Sequence, residues 1–328
     1  MSFDVGIDFG TSKMLVYGKD KGIVLNEPDV VAYDRYTQEI KAVGEEAFAL
    51  YGKTTGNIIS SYVFENKVYC NNKVVSALID YIIRMTTGKI LLIHPRICIS
   101  LPGIVSDDEK KIFEECAYKA GAREVIIVDR VMSAAIGARI DIRNTAGNII
   151  ADIGTKLTDI AVISYGEIVE RVVLNQGDNG FDNAIIRSIK ENHGILTGRK
   201  SAHELKAECA CVYSFDDDKE LLIKGRSVID GLLIEQVISS KEVEEALADE
   251  AAVIADNILK LLEKTDDKLR KSITDRGIIL TGKTALLTGF ENLMERHTGI
   301  QTIVGENPIT ASVTGTGIIL EFLDGGDT

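Results

Sequence analysis

The chain has no apolar run of the ~18–20 residues that a membrane-spanning helix needs. It has no block of basic residues either, and its formal net charge is −13. Nucleic acid, which is held mainly through Lys and Arg on phosphate, is excluded as the main partner. The cysteines do not form a framework. Cys70, Cys98, Cys116, Cys209 and Cys211 are odd in number, and Cys209 and Cys211 lie too close for a CxxC zinc or redox motif. Reduced thiols of a cytoplasmic protein are the expectation. No signal peptide is expected, because Asp4 and Asp8 interrupt the first apolar stretch. No amphipathic helix precedes that stretch, so no N-terminal anchor is expected. The lack of tryptophan and the scarcity of proline exclude nothing further.

What is present is ordinary for a globular protein: 328 residues, 45% hydrophobic and 27% charged. That length suffices for two domains with real cores.

The stretch that organises the rest is Asp8-Phe9-Gly10-Thr11. Val5-Gly6-Ile7 leads in and Met14-Leu15-Val16-Tyr17 leads out, which reads as a hairpin. Gly10 lets backbone approach a ligand, and successive N–H groups in such a turn form an anion-binding concavity. Asp8, at the end of a buried strand, is expected to reach a hydrated Mg²⁺ rather than a core partner. Alone, the stretch could be an ordinary turn with a solvated Asp. It returns, however, as Asp152-Ile153-Gly154-Thr155, between Asn148-Ile149-Ile150-Ala151 and Thr158-Asp159-Ile160-Ala161-Val162-Ile163. Two matching hairpins point to two related α/β halves, each offering a phosphate loop and a carboxylate to one cleft.

The intervening chain reads as follows. Gly22 to Pro28 is extended, and Pro28 ends it and begins an edge strand. Residues 33–72 form a small inserted subdomain. Residues 73–86 form an amphipathic helix through Val74, Val75, Leu78, Ile79, Ile82 and Ile83. Ile90-Leu91-Leu92-Ile93 is either the start of a buried strand or an exposed hydrophobic loop, and the residues alone favour burial. Ile97 to Leu101 and Val125 to Val128 are core strands. Ser106 and Glu109 form a capping box at the head of a helix that Gly121 closes. A small-residue helix, Met132 to Ala138, follows Asp129-Arg130.

In the second half, a strand from Glu167 to Leu174 follows the turn at Tyr165-Gly166. Gly177-Asp178-Asn179-Gly180 turns into a helix, and residues 181–238 make a second inserted subdomain. Asp216-Asp217-Asp218 is solvated surface, because a calcium loop would need alternating ligands. Ser239 and Glu242 cap a long helix. Ile278-Ile279-Leu280-Thr281-Gly282 is a strand running into a Gly turn, the place where α/β folds bind ligands. Gly315-Thr316-Gly317 is expected to precede a last helix.

The order of these motifs resembles the actin-like ATPase superfamily, and most closely its MreB-type bacterial rod-shape proteins. Gly6 to Thr11 looks like the first phosphate motif. Gly22 to Pro28, Ala42 to Ala47, Ala120 to Val125 and Asp275 to Ile278 are similar to stretches typical of MreB. The resemblance covers nearly the whole chain. It implies an α/β actin-like fold of two RNase H-like domains, each with an inserted subdomain and with a nucleotide cleft between them. The domains are expected at 1–146 plus 310–328, and at 147–309. It further implies ATP with Mg²⁺, head-to-tail filaments of the chain itself, and a cytoplasmic place at the inner face of the membrane. Other MreB-type paralogues and membrane proteins of cell-wall synthesis are the implied partners. Asp8 and Asp152 match the magnesium-associated acids. Gly10, Thr11, Ser12, Lys13, Gly154, Thr155 and Lys156 match the phosphate loops. His203, Glu204, Lys206, Gly282 and Lys283 match the nucleoside side. Leu91, Leu92 and Ile93 match an apolar loop that can enter the bilayer.

The departures fall at the site. Asp152-Ile153-Gly154-Thr155-Lys156 has two fewer glycines than the family's Asp-Ile-Gly-Gly-Gly-Thr-Thr-Glu. Thr281-Gly282-Lys283-Thr284 stands for Thr-Gly-Gly-Gly. His203-Glu204-Leu205-Lys206 stands for Glu-Glu-Ile-Lys. Asp129-Arg130-Val131 stands where Glu-Glu-Pro supplies the acid that positions water. Arg130 has only donors and is always protonated, so it cannot hold that water as Glu does. It either neutralises phosphate oxygens or turns out to solvent. An ATP-binding filament protein with slow or lost hydrolysis is therefore the expectation. The alternatives are a pseudo-ATPase scaffold without nucleotide and a phosphotransferase of the same superfamily, for which no acceptor-activating base is found.

Overall fold

The opening apolar runs become β1 (Val5–Phe9) and β2 (Lys13–Gly18), an antiparallel pair in which Asp8 faces Leu15. The Gly10 N–H donates to the Lys13 carbonyl at 2.9 Å and closes the turn. A Cβ on Gly10 would stand 2.8 Å from that oxygen, so a side chain does not fit. The computed structural model describes residues 4–53, 56–87, 94–209 and 219–324. The chain divides into two compact units, Met1–Asp141 with Ile309–Thr328, and Ile142–Pro308.

In the first unit, β3 (Gly22–Pro28) pairs with β2 as the edge of the main sheet. After it come β4 (Val30–Asp34), β5 (Ile40–Val43), α1 (Glu45–Phe48), β6 (Ile58–Tyr62) and α2 (Asn72–Thr87). Then follow β7 (Arg96–Leu101), α3 (Asp107–Lys119), β8 (Glu124–Asp129) and α4 (Arg130–Gly137). The main sheet has the order β3-β2-β1-β7-β8, with β7 parallel to both β1 and β8. A three-stranded sheet, β5-β4-β6, forms the inserted part. Here the sequence reading needs correction. Pro28 is the last residue of edge strand β3, and the next strand, β4, is central rather than an edge. Pro28 has no N–H to donate, but Val30 to Asp34 can bond on both sides. Ser106 accepts from the Glu109 N–H and Glu109 from the Ser106 N–H, so the expected capping box starts α3. Its Phe113 packs on Phe9 at a centroid distance of 5.5 Å.

The second unit repeats this plan. It runs β9 (Asn148–Ile153), β10 (Thr158–Ser164), β11 (Glu167–Leu174), α5 (Asp178–His193), β12 (Ile195–Leu196) and α6 (Arg199–Cys209). It continues with β13 (Glu220–Ser227), β14 (Leu233–Ser239), α7 (Ser240–Lys264), α8 (Asp267–Arg276), β15 (Ile278–Thr281), α9 (Phe290–Thr298) and β16 (Thr302–Val304). Its main sheet, β11-β10-β9-β15-β16, matches the first strand for strand. The Gly154 N–H donates to the Leu157 carbonyl at 2.9 Å, the same turn as at Gly10. The sheet β12-β13-β14 forms the inserted part. Ile254, Ile258 and Leu261 of α7 are buried, and Phe181 meets Phe290 edge-on at 5.9 Å. Each such aliphatic contributes roughly 1.5–3 kcal/mol on burial.

The last helix, α10 (Ala311–Asp324), belongs to the first unit. It contains Gly315 and Gly317, which the sequence reading put before it. Packing explains the difference. A Cβ on Gly315 would stand 1.9 Å from the Ser133 carbonyl oxygen of α4, so the two backbones touch. The glycines serve that contact and do not break the helix.

Candidate functional site

Each unit carries one buried carboxylate at the end of its central strand. Asp8 is 2% exposed. Opposite it in register on β7 is Ser100, whose Oγ donates to Asp8 Oδ1 at 3.0 Å. Ser312 Oγ, from α10, lies 2.8 Å from the same oxygen and 2.9 Å from Ser100 Oγ. Arg130 Nε, from the first turn of α4, donates to it at 3.1 Å. Asp8 therefore has core partners, where the sequence reading had it reach an ion instead. Arg130 does not turn out to solvent, since its side chain is 16% exposed and ion-paired. Asp129, the last residue of β8, points elsewhere, to Lys110 at 3.6 Å.

In the second unit, Asp152 is likewise buried, and Thr281 Oγ1 donates to its Oδ1 at 3.2 Å from the facing position on β15. Gly282 follows at φ +85°, and a Cβ there would meet the Ile153 carbonyl oxygen at 2.1 Å. Only glycine lets the two loops lie so close. The Gly154 and Thr155 carbonyls accept from the N–H groups of Asp178 and Asn179, which ties the phosphate-type loop to the start of α5.

Beside that loop is a charged cluster. Lys206 Nζ, 2% exposed, lies 2.8 Å from Asp178 Oδ1 and 2.6 Å from Asp182 Oδ1. His203 Nδ1 is 3.6 Å from Asp182. Lys283 Nζ is 2.9 Å from His203 Nε2 and 3.7 Å from Asp178 Oδ2. Thr284 Oγ1 donates to Asp178 Oδ1 at 3.3 Å. Asp178, Asp182 and His203 have donor atoms close enough for a metal, but the Lys206 ammonium already bridges the two carboxylates.

Of the expected nucleoside-side residues, His203, Lys206, Gly282 and Lys283 fall in or next to this cluster. Glu204 instead lies on the outer face of α6, 3.8 Å from Lys200. Gly10, buried Thr11, half-buried Ser12 and exposed Lys13 form the turn and the start of β2. Thr155 and Lys156, both half-buried, occupy the matching turn. Leu91, Leu92 and Ile93 lie outside the described residues, as does Asp216-Asp217-Asp218. Sequence reasoning missed Ser100, Ser312 and Asp182. The i, i+4 spacing of Asp178 and Asp182 at a helix start was the available signal for the last.

The family model for MreB/Mbl protein matches residues 2–326. The chain belongs to the MreB/Mbl family. It is 38% identical over 321 residues to the cell shape-determining protein Mbl of Bacillus subtilis, covering 98% of this chain and 96% of that protein. It is 34% identical over 333 residues to the cell shape-determining protein MreB of Escherichia coli, covering 99% and 96%. The crystal structure of MreB 5 of Spiroplasma citri bound to AMPPNP is similar at a TM-score of 0.87 and 28% identity, covering 99% of this chain and 98% of that one. The fold is therefore actin-like, and the paired hairpins are those of an MreB/Mbl protein.

The MreB-type magnesium can be tested against the residues. A hydrated magnesium ion presents water donors and needs carboxylate acceptors facing it. Asp152, whose Oδ1 accepts from the Thr281 hydroxyl, is a carboxylate of the kind that need calls for. Asp8 fits it poorly, because its Oδ1 is paired with the Arg130 guanidinium, and a divalent cation at this carboxylate would stand next to a fixed positive charge.

Proposed function

We propose that this MreB/Mbl protein binds ATP and assembles head to tail into filaments at the inner face of the cytoplasmic membrane. There it governs cell shape and cell-wall synthesis, alongside paralogues and membrane proteins of that machinery. The observation that carries this reading is the repeated turn. Gly10 and Gly154 close equivalent loops after equivalent strands in two equivalent sheets, within a chain of this family. The nucleotide complex of MreB 5 supports the same reading.

In this reading, the Gly10 and Gly154 N–H groups close the turns, and the backbone N–H groups of Thr11 and Ser12, and of Thr155 and Lys156, face phosphate oxygens. Lys13 and Lys156 add positive charge. His203, Lys206, Gly282 and Lys283 form the nucleoside side, with Glu204 at its outer edge. With ATP, Asp152 would hold Mg²⁺ through water, and the ion would offset the charge of the γ-phosphate, which ADP lacks. Arg130 has no acceptor, so it cannot draw a water toward the γ-phosphate, and turnover is slow or absent. Among the described residues no helix is long and apolar enough to cross a membrane. Attachment is assigned to Leu91, Leu92 and Ile93, on the resemblance alone. Head-to-tail contacts that do not close produce a filament rather than a ring. Light scattering and electron microscopy with ATP and Mg²⁺ test this. Filaments are expected, and a monomer at high concentration under those conditions would refute assembly.

One observation favours a second reading, a scaffold that binds no nucleotide. Lys283 stands where the family has Gly, and its ammonium already meets His203 and Asp178. Calorimetric titration with ATP separates the two.

A further inference from the structure

We propose that Arg130 is the built-in counter-cation of Asp8, so that this chain holds nucleotide without a divalent ion at that carboxylate. The inference rests on the nucleotide reading above. Three elements converge on Asp8 Oδ1: β7 through Ser100, α10 through Ser312, and α4 through Arg130. The hydroxyls of Ser100 and Ser312 have one hydrogen each, to serve three close contacts, two with Asp8 and one with each other. Either hydroxyl can rotate toward the other. The guanidinium cannot change role, because every N–H it has is a donor and it stays protonated. Arg130 Nε is thus a donor to Asp8 in every arrangement.

The cation is also held in place. Arg130 sits in the first turn of α4, and α4 touches α10 backbone to backbone at Gly137–Ala311 and Ser133–Gly315. Ser133 Oγ donates to the Ser312 carbonyl at 2.7 Å. The helix that roots Arg130 and the helix that brings Ser312 are therefore fixed together. A bare carboxylate beside a phosphate-type loop adds negative charge that a cation must offset before a nucleotide phosphate can approach. Here one carboxylate is neutralised from within the chain.

The test is the affinity for ADP, measured by calorimetry in Mg²⁺ and in EDTA. The wild type is expected to change by less than about threefold. Arg130→Gln is expected to bind about tenfold or more weakly in EDTA and to recover in Mg²⁺, with Arg130→Lys close to wild type. Mn²⁺ binding followed by electron paramagnetic resonance should strengthen in Arg130→Gln, which exposes Asp8. Wild-type binding that disappears in EDTA but holds in Mg²⁺ overturns the inference and leaves the nucleotide reading standing. Arg130→Gln that matches the wild type in EDTA also overturns it. No ADP binding in either buffer overturns both.

Discussion

Thr281 Oγ1 donates to Asp152 Oδ1 across β9 and β15, in the position that Ser100 holds opposite Asp8 across β1 and β7. The two halves therefore share a carboxylate–hydroxyl pair at equivalent places. Asp8 receives a guanidinium from the helix after β8, where a water-holding Glu is usual in MreB-type proteins. In the proposed function, the guanidinium that pairs with Asp8 also stands in place of an acceptor for the attacking water.

Restoring that acceptor should restore turnover. Arg130→Glu is expected to raise phosphate release from ATP by roughly a hundredfold, the lower end of what a positioned acid or base contributes. A wild type that already hydrolyses ATP rapidly, unaffected by changes at Arg130, would show that another group holds the water.

Much of this was legible in the sequence. Strands β1, β2, β9 and β10 follow from apolar runs flanking a repeated Asp-x-Gly-Thr. Helices α3 and α7 follow from Ser-x-x-Glu, whose hydrogen bonds are local. Ser100 and Ser312 were not legible, because a hydroxyl in an apolar strand or helix gives no sign of which remote carboxylate it meets. Gly315 and Gly317 misled for a related reason. Glycine reads as a helix breaker, but here the nearness of α4 outweighs its low helix propensity. The Leu91-Leu92-Ile93 run reads two ways, because burial and membrane insertion select the same side chains.

Lys206 holds Asp178 and Asp182 together, with donor atoms of the two acids within 4.8 Å of one another. Lys206→Met leaves two buried carboxylates facing each other without that ammonium. The second unit should lose roughly 3–5 kcal/mol, the usual cost of breaking a buried ion pair. Urea unfolding reads this as a lower midpoint, and an unchanged midpoint would mean the cluster is hydrated.

The α3 cap predicts a pH dependence. The Ser106 backbone N–H, reinforced by Lys67, holds Glu109 down from 4.5 to about 2 against a smaller opposing effect of burial. A carboxylate lowered in the folded state stabilises above its unfolded pKa and loses that effect as pH falls. The advantage of wild type over Glu109→Gln in urea should therefore be full at pH 7 and shrink between about pH 4.5 and about 2. A constant difference across that range would contradict the assignment.

The proposed membrane attachment rests on Leu91, Leu92 and Ile93. Leu91→Ser with Leu92→Ser should abolish co-sedimentation with anionic liposomes while leaving circular dichroism and melting unchanged. Unchanged co-sedimentation of the folded variant would place the contact elsewhere.

The most direct test of the central claim is a calorimetric titration of the purified chain with ATP in Mg²⁺, repeated with Gly154→Val. The account predicts saturable binding near one equivalent for the wild type. It predicts loss in the variant, where a branched side chain fills the phosphate-facing turn. No heat of binding in the wild type, confirmed by the absence of thermal stabilisation by ATP, would contradict it.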